Sequence, residues 1–303
     1  MNTLTSEPKL LFAINAASGN NDIDYHAIIQ DFFKDRSGFH ATLFNCEGSD
    51  LKKCLKDKIA HEQPDIVVAV GGDGTVKLVA ELVAGTDMKL GIIPAGSANG
   101  MAKELNISPE PLAALETLVS SQAHPIHLLK VNNQYCIHLS DIGFNAYIIK
   151  TFEKLHQRGM WGYVKAAWKV LWRHSKMEAQ FEINKQLVKR SAVMIVLANA
   201  TSYGNGVAIN PQGKLDDDLF EIVIIRKISI AEILKMRFSR KGFNPKKTEF
   251  YQVRSVKIHS KRKAHFQVDG EYIGKVNEVI AEIVPAVVNV VYPKEVAIAS
   301  AKK

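Results

Sequence analysis

Cysteine is scarce: the 303 residues hold three, Cys46, Cys54 and Cys136. They are odd in number and widely spaced, which excludes a disulfide framework and a zinc-ligand pattern and fits reduced thiols. No apolar run approaches the roughly 20 residues needed to cross a bilayer. The opening MNTLTSEPKLLFAIN lacks a basic segment ahead of a long apolar stretch, so no secretory leader is expected and the chain is placed in the cytoplasm. The signature G-x-x-x-x-G-K-[ST] is missing, which argues against a P-loop nucleotide hydrolase. Internal repeats and low-complexity linkers are missing too. Acidic residues are outnumbered, 31 against 39 Lys and Arg, leaving a net charge of +8 and a pI near 9.2. Such a balance points to an anionic partner: nucleotide, nucleic acid or an acidic membrane surface. The excess is local. Thirteen basic residues fall between Arg226 and Lys263, opposed only by Glu232 and Glu249.

What is present divides the chain in two, as its length alone would suggest. Through about residue 125, short apolar runs alternate with helical patterns. Leu10–Ile14, Ala41–Phe44, Asp65–Val70 and Leu90–Ile93 read as strands. Asp24–Arg36, Ser49–His61 (with Ser49 as N-cap), Val76–Ala84 and Ala98–Leu105 read as helices. DIVVAV is continuously apolar, as a strand buried on both faces must be. The pattern predicts a doubly wound, parallel α/β domain over 1–125. From His124 the strands lengthen, alternate and meet at polar turns, Asn132-Asn133 and Asn184-Lys185. A helical insert, Ala146–Trp172, interrupts them. A β-sandwich over 126–290 is predicted, with a tail at 291–303 that can return to the first domain. The cleft between the domains is the default site.

Three loops carry the chemistry of the first domain. GGDGT, Gly71–Thr75, lies between a buried strand and a helix. Its glycines let backbone approach a phosphate without a Cβ in the way, and the helix start offers N–H groups and partial positive charge. Asp73 can reach a metal-bound water or the nucleotide, and Thr75 can donate a hydrogen bond. PAGSAN, Pro94–Asn99, repeats the arrangement with Ser97 and Asn99, and NAASGN, Asn15–Asn20, follows the first strand. All three leave the edge of a parallel sheet where ligands bind. A plain turn is the alternative for each alone. GGDGT lacks the third glycine of a dinucleotide fingerprint, which disfavours a Rossmann oxidoreductase. In the second domain, PQGKLDDDLF gathers Asp216, Asp217 and Asp218, either a solvated turn or a site for a hard cation. FQVDGE ends on Asp269, Gly270 and Glu271, either a hairpin turn or a carboxylate placed to take a hydroxyl proton.

In this order NAASG, GGDGTV, LGIIPAGSAN, GFNA (Gly143–Ala146), PQGKLDDDLF and QVDGE resemble the diacylglycerol kinase catalytic-domain superfamily, in particular its bacterial soluble lipid kinases, with sphingosine kinases as relatives. The resemblance spans nearly the whole chain and implies a kinase that moves a phosphate from ATP to a hydroxyl of a membrane lipid, as in phospholipid biosynthesis. It implies that Asn15, Gly71, Gly72, Asp73, Gly74, Thr75, Ser97 and Asn99 hold the nucleotide, and that Glu271, with Asp269 and Asp73, serves catalysis as general base and supporting carboxylates. Asp217, with the carbonyls of Lys214 and Leu219, would hold a structural metal, and Mg²⁺ would accompany ATP. Lys77, Gly100 and Asp218 depart from the pattern, and Phe44 stands where a Thr is expected. NAD kinase, which shares GGDGT, and a non-catalytic nucleotide- or lipid-binding relative are the competing readings. No nucleic-acid-reading module is present. The segment Lys235–Lys247, with Phe238 and Phe243, fits either peripheral contact with the inner membrane face or a solvated basic stretch. Trp161, Trp168 and Trp172 fit core packing or a lid over acyl chains, and a homodimer is compatible with the reading.

Overall fold

A computed structural model of the chain describes residues 7–15, 23–46, 50–154, 176–183, 185–202, 208–228 and 245–293. The chain divides into two compact units, one of residues 1–126 and 286–303, the other of 127–285. The helical insert beyond residue 154, with its three tryptophans, and the segment Lys235–Asn244 lie outside the described residues.

In the first unit, β1 (Lys9–Ile14), β2 (His40–Asn45), β3 (Ile66–Gly71) and β4 (Lys89–Pro94) pair in parallel in the order β4-β3-β1-β2. Leu10–Ile14 and Ile66–Gly71 are buried throughout, because helices cover both faces of such a sheet. Those helices are α1 (Tyr25–Lys34), α2 (Leu51–Glu62), α3 (Asp73–Val83), α4 (Gly100–Glu104) and α5 (Pro111–Ser120). Asp24 caps α1 through Ala27 N–H at 3.0 Å, and Asp50, one position after the expected Ser49, caps α2 through Lys53 N–H at 3.2 Å. Helix α5 has no counterpart in the sequence reading; Pro111 at its first turn is the start signal that was passed over. The chain returns to this sheet near its end, where Asn289 and Val290 pair in parallel with Lys89 and Leu90.

The second unit is antiparallel. β5 (Ala123–Val131) and β6 (Gln134–Cys136) form a hairpin about Asn132-Asn133, both at positive φ (46° and 67°) as a two-residue turn of this hand requires. β7 (Leu139–Gly143) leads into α6 (Phe144–Lys154). β8 (Met177–Ile183) and β9 (Gln186–Ala192) make a second hairpin, followed by β10 (Met194–Ala198), β11 (Phe220–Ile225), β12 (Thr248–Val253), β13 (Ser255–Val268) and β14 (Glu271–Val291). One layer runs β12-β11-β10-β7-β13. The long β13 also pairs through Lys257–Ser260 with β8, and so carries the hydrogen bonding into the other layer. Met177, Ala179, Phe181 and Ile183 alternate inward to meet Ile195, Phe220, Ile258 and Phe266 in the core.

Three runs that read as single strands are each broken, and each break has a named cause. YCIHLS is interrupted at Ile137-His138, whose N–H groups turn to the Asp269 carboxylate. LVKRSAVMIVLA breaks at Val193, which donates to the Ile225 carbonyl and accepts from Phe144 N–H. EFYQVRSVKIHS breaks at Arg254, whose carbonyl accepts from Ile283 N–H. Conversely, KRK at 261–263 does not end a strand, and β13 runs through it with a register shift between His259 and Ala264.

Candidate active site

The strand order 2-1-3-4 reverses direction between β1 and β3, the place where open sheets of this kind bind ligands. Of NAASGN, only Asn15 falls within the described residues. The structure ties the predicted loops together around that point. Asn15, just past β1, donates its N–H to the Val70 carbonyl at 3.0 Å and its side-chain Nδ2 to Thr75 Oγ1 at 3.2 Å. Thr75 Oγ1 thus accepts from Asn15, and the residue is buried. Ala95 N–H donates to the Gly71 carbonyl at 2.9 Å. Gly72 and Gly96 lie backbone to backbone: a Cβ on Gly72 would sit 3.3 Å from Gly96 Cα, and one on Gly96 would collide with Gly72 Cα. The glycines are thus required as much for loop-to-loop packing as for approach to a phosphate.

Two polar side chains lock this arrangement. Asn99 adopts the left-handed conformation (φ 52°, ψ 48°). Its Oδ1 accepts from Gly96 N–H at 2.9 Å and its Nδ2 donates to the Gly96 carbonyl at 2.7 Å. Both ends of the amide are spent inside the loop, so Asn99 shapes PAGSAN. Asp73 opens α3, and its Oδ1 accepts from Met101 N–H in α4 at 3.1 Å. This inter-loop bond was not legible in sequence, since nothing in a linear pattern pairs Asp73 with Met101. What remains outermost is Gly74, with open space where a Cβ would be, and Ser97; both are exposed. Lys77, at the position departing from the family pattern, is buried on α3.

The second unit builds its acidic hairpin differently. Asp269 and Gly270, at φ 49° and 86°, make the two-residue turn between β13 and β14. Asp269 does not present its carboxylate outward. Oδ1 accepts from His138 N–H at 2.9 Å, from Leu139 N–H at 3.3 Å and from the Cys136 thiol at 3.3 Å, while Oδ2 accepts from Ile137 N–H at 3.1 Å. A carboxylate gripped by that many donors is a structural anchor. Beneath it Gln267 accepts from Gly270 N–H at 2.7 Å and donates to Asp141 Oδ2 at 2.6 Å. The same fully buried Asp141 accepts from Asn145 Nδ2 at 2.6 Å and from Ala146 N–H at 2.9 Å, capping α6. Asp141 is a support residue outside every motif the sequence offers, whereas Asn145 and Gln267 fall within GFNA and QVDGE with no role legible there. Glu271, first residue of β14, is exposed at the end of this scaffold.

The acidic loop lies elsewhere in the same unit. Asp217 Oδ1 accepts from Leu219 N–H at 3.3 Å, and Asp218 pairs with Arg254 at 2.9 Å and faces His127 Nε2 at 3.8 Å. Gly213 packs against Asn210 and the Asn199 carbonyl. The side-chain oxygens of Asn199 and Asn210 and both ring nitrogens of His127 are buried without a hydrogen-bond partner among the described residues. Among those residues no group of three or more His, Cys, Asp or Glu side chains is gathered for a metal, and no helix is long and apolar enough to cross a membrane.

A parallel sheet with glycine loops drawn together at its switch point, joined to a β-sandwich with an anchored acidic hairpin, defines a two-unit phosphotransferase fold. Residues 9–131 match the diacylglycerol kinase catalytic domain, and residues 140–292 match the YegS C-terminal NAD kinase beta sandwich-like domain. The chain belongs to the diacylglycerol kinase catalytic-domain superfamily. A diacylglycerol kinase of Staphylococcus aureus (strain bovine RF122 / ET3-1) is 26% identical over 248 residues, covering 80% of this chain and 79% of that protein. The protein of the same description from strain Newman aligns with the same identity and coverage. The crystal structure of a diacylglycerol kinase from Bacillus anthracis str. Sterne superposes with a TM-score of 0.72 over 96% of this chain and 98% of that one; at 18% identity the likeness speaks to fold.

Proposed function

We propose that this chain is an ATP-dependent lipid kinase that transfers the γ-phosphate of ATP to a hydroxyl of a membrane lipid, diacylglycerol or a sphingoid-like alcohol. The observation that carries the reading is the fastening of the end of β1 and the loops after β3 and β4 to one another, through Asn15–Thr75, Gly72–Gly96 and Asp73–Met101. Pre-organised backbone at the start of α3 suits a triphosphate, whose transfer depends on positioning and charge stabilisation more than on covalent help from the protein. Gly71, Gly72, Gly74 and Ser97 would line the phosphates. Asn15, Thr75 and Asn99 hold the rim in shape, and Asp73 positions the neighbouring loop and would offer a carboxylate to the Mg²⁺ that ATP brings.

In the transfer, the lipid hydroxyl oxygen bonds to the γ-phosphorus as the bond to the ADP oxygen breaks. Glu271 accepts the hydroxyl proton. Asp269, saturated with donors, sets the hairpin on which Glu271 stands and does not itself take the proton. The loop of Lys214, Asp217 and Leu219 fits a second, structural divalent cation. Asp217 and the carbonyls of Lys214 and Leu219 would hold it, and Asn199 and Asn210, which pack against Gly213 of the same loop and have partnerless side-chain oxygens, are the further hard acceptors nearby. Such an ion would contribute fixed positive charge that cross-links the loop. Peripheral attachment to the inner membrane face, through the basic and Phe-bearing stretch Lys235–Lys247, would bring the protein to its acceptor from the cytoplasm.

The test is incubation with labelled ATP, Mg²⁺ and a panel of lipid hydroxyls, with NAD as a competing acceptor and products identified by mass. Labelled lipid is expected. Asp73→Ala and Glu271→Ala should each lower turnover about 10²- to 10⁴-fold while the protein stays folded. Label in NADP alone, or full turnover by both variants, would remove the proposal.

A further inference from the structure

Glu271 stands between two residues that are each tied back to α6. On one side Gly270 N–H donates to Gln267, which donates in turn to Asp141, the cap of that helix. On the other side is Tyr272, held by a separate set of contacts. Its hydroxyl lies 2.8 Å from His265 Nδ1 on the neighbouring strand β13. The His265 ring stacks flat on Tyr147 of α6, with centroids 4.4 Å apart and planes 4° from parallel. Lys150, one turn further along α6, places Nζ over the Tyr272 ring, 5.1 Å from its centroid. All four side chains are half-buried. The strand also bends here. Phe266 pairs with Gly274 and Gln267 with Tyr272, which leaves Ile273 as an extra residue, and Gly274 takes φ 143°. A bulge of this kind re-aims the strand beside it.

Contacts within a hairpin leave the hairpin able to swing as one piece. Tyr147 and Lys150 belong instead to α6, whose start is fixed by the buried Asp141, so the aromatic set ties Tyr272 to a different element. Each contact is weak alone. Together they supply direction, because a residue whose two chain neighbours are both held keeps little freedom beyond its own side-chain rotations. A proton acceptor must come within about 3 Å of the oxygen it serves, and a misplacement of about 1 Å is enough to slow a reaction strongly. We propose that Tyr147, His265 and Tyr272 are positioning residues for phosphoryl transfer, which hold the second strand of the hairpin so that the Glu271 carboxylate meets the acceptor hydroxyl. The three act through Glu271 and not on the substrate. The proposal rests on the reading of Glu271 as general base.

The experiment measures kcat and KM of the full chain for ATP and for the lipid alcohol that wild type labels fastest among a diacylglycerol, a monoacylglycerol and sphingosine. His265→Ala should lower kcat about 10- to 100-fold while both KM values change about twofold or less, since binding is kept and the transfer geometry is lost. Tyr147→Ala should lower kcat about tenfold, and Tyr147→Phe, which restores the stacked ring, should recover most of that loss. The deciding readout is coupling. In a Glu271→Ala background, His265→Ala should change the residual rate about twofold or less, because nothing is left to position. Should His265→Ala fold poorly, His265→Gln, which removes the stacked ring and keeps a polar side chain, is read in the same two backgrounds with the same expectation. Equal losses with and without Glu271 would make the cluster merely structural and overturn the proposal, as would a wild-type kcat in the His265 variants. Full turnover by Glu271→Ala, or no labelled lipid from wild type, would instead sink the reading of the base, and the positioning role with it.

Discussion

The glycine rim of the first unit and the acidic hairpin of the second solve the same problem, holding a functional group still, by opposite means. The rim is held by closeness: backbone on backbone at Gly72 and Gly96, with two amides, Asn15 and Asn99, and one carboxylate as fasteners. The hairpin is held by charge: the Asp269 carboxylate collects four donors, and buried Asp141 collects three more groups below it. A rim made of closeness fails when an atom is added. A hairpin made of charge fails when an atom is taken away.

Removal should have the larger effect on stability. Asp269→Ala strands the N–H groups of residues 137–139 around an empty centre and should cost about 3 kcal/mol, read from denaturant unfolding. Asp269→Asn, which keeps an acceptor, should lose about half as much. Addition comes next. Gly96→Ala must push the two loops apart at a cost of about 1–3 kcal/mol, and ATP affinity should fall by more than that stability loss implies. An unchanged nucleotide affinity in Gly96→Ala would mean that the Gly72–Gly96 contact does not organise the site. Asn99→Ala lies between the two modes, leaving Gly96 without its amide partners for about 1 kcal/mol, again with a measurable drop in ATP affinity.

The smallest effect lies at the open sandwich edge. Burial alone would raise the Glu249 carboxyl, but the hydrogen bonds from Arg190 and Tyr251 outweigh it and hold the group below the ordinary carboxylate range. A depressed carboxyl contributes stability that is present above its unfolded pKa and is lost as pH falls through its folded value. With Arg190 more than a third exposed, solvent screening limits this to about 1 kcal/mol or less. The wild-type unfolding midpoint should therefore decline more steeply on acidification than that of Glu249→Gln.

These contrasts also explain what could be read in advance. Closeness in the first unit follows from local rules. The apolar run Ile66–Val70 demands a buried parallel strand, and three glycine-bearing turns at strand ends must share an edge once strand and helix alternate. Asn15, the GGDGT run, Ser97 and Asn99 could therefore be collected from the sequence alone. Their division of labour could not, because Asn99 closing on Gly96 and Asp73 reaching Met101 depend on backbone direction at a few angles. The second unit was harder, since its strand ends are set by distant partners. YCIHLS reads as one strand until Asp269, more than a hundred residues later, takes its N–H groups. Asp141 and Gln267 look like polar residues of ordinary strands until the hairpin stacks them.

The return of the chain at Asn289 and Val290 matters to anyone wishing to study nucleotide binding in isolation. A fragment stopped near residue 126 would keep every glycine loop yet strip β4 of its outer neighbour, leaving the hydrogen-bonding groups of a strongly apolar strand bare. Bare borders of that kind recruit other molecules, so such a fragment should clump. A workable minimal module would need the last stretch of β14 stitched back beside β4.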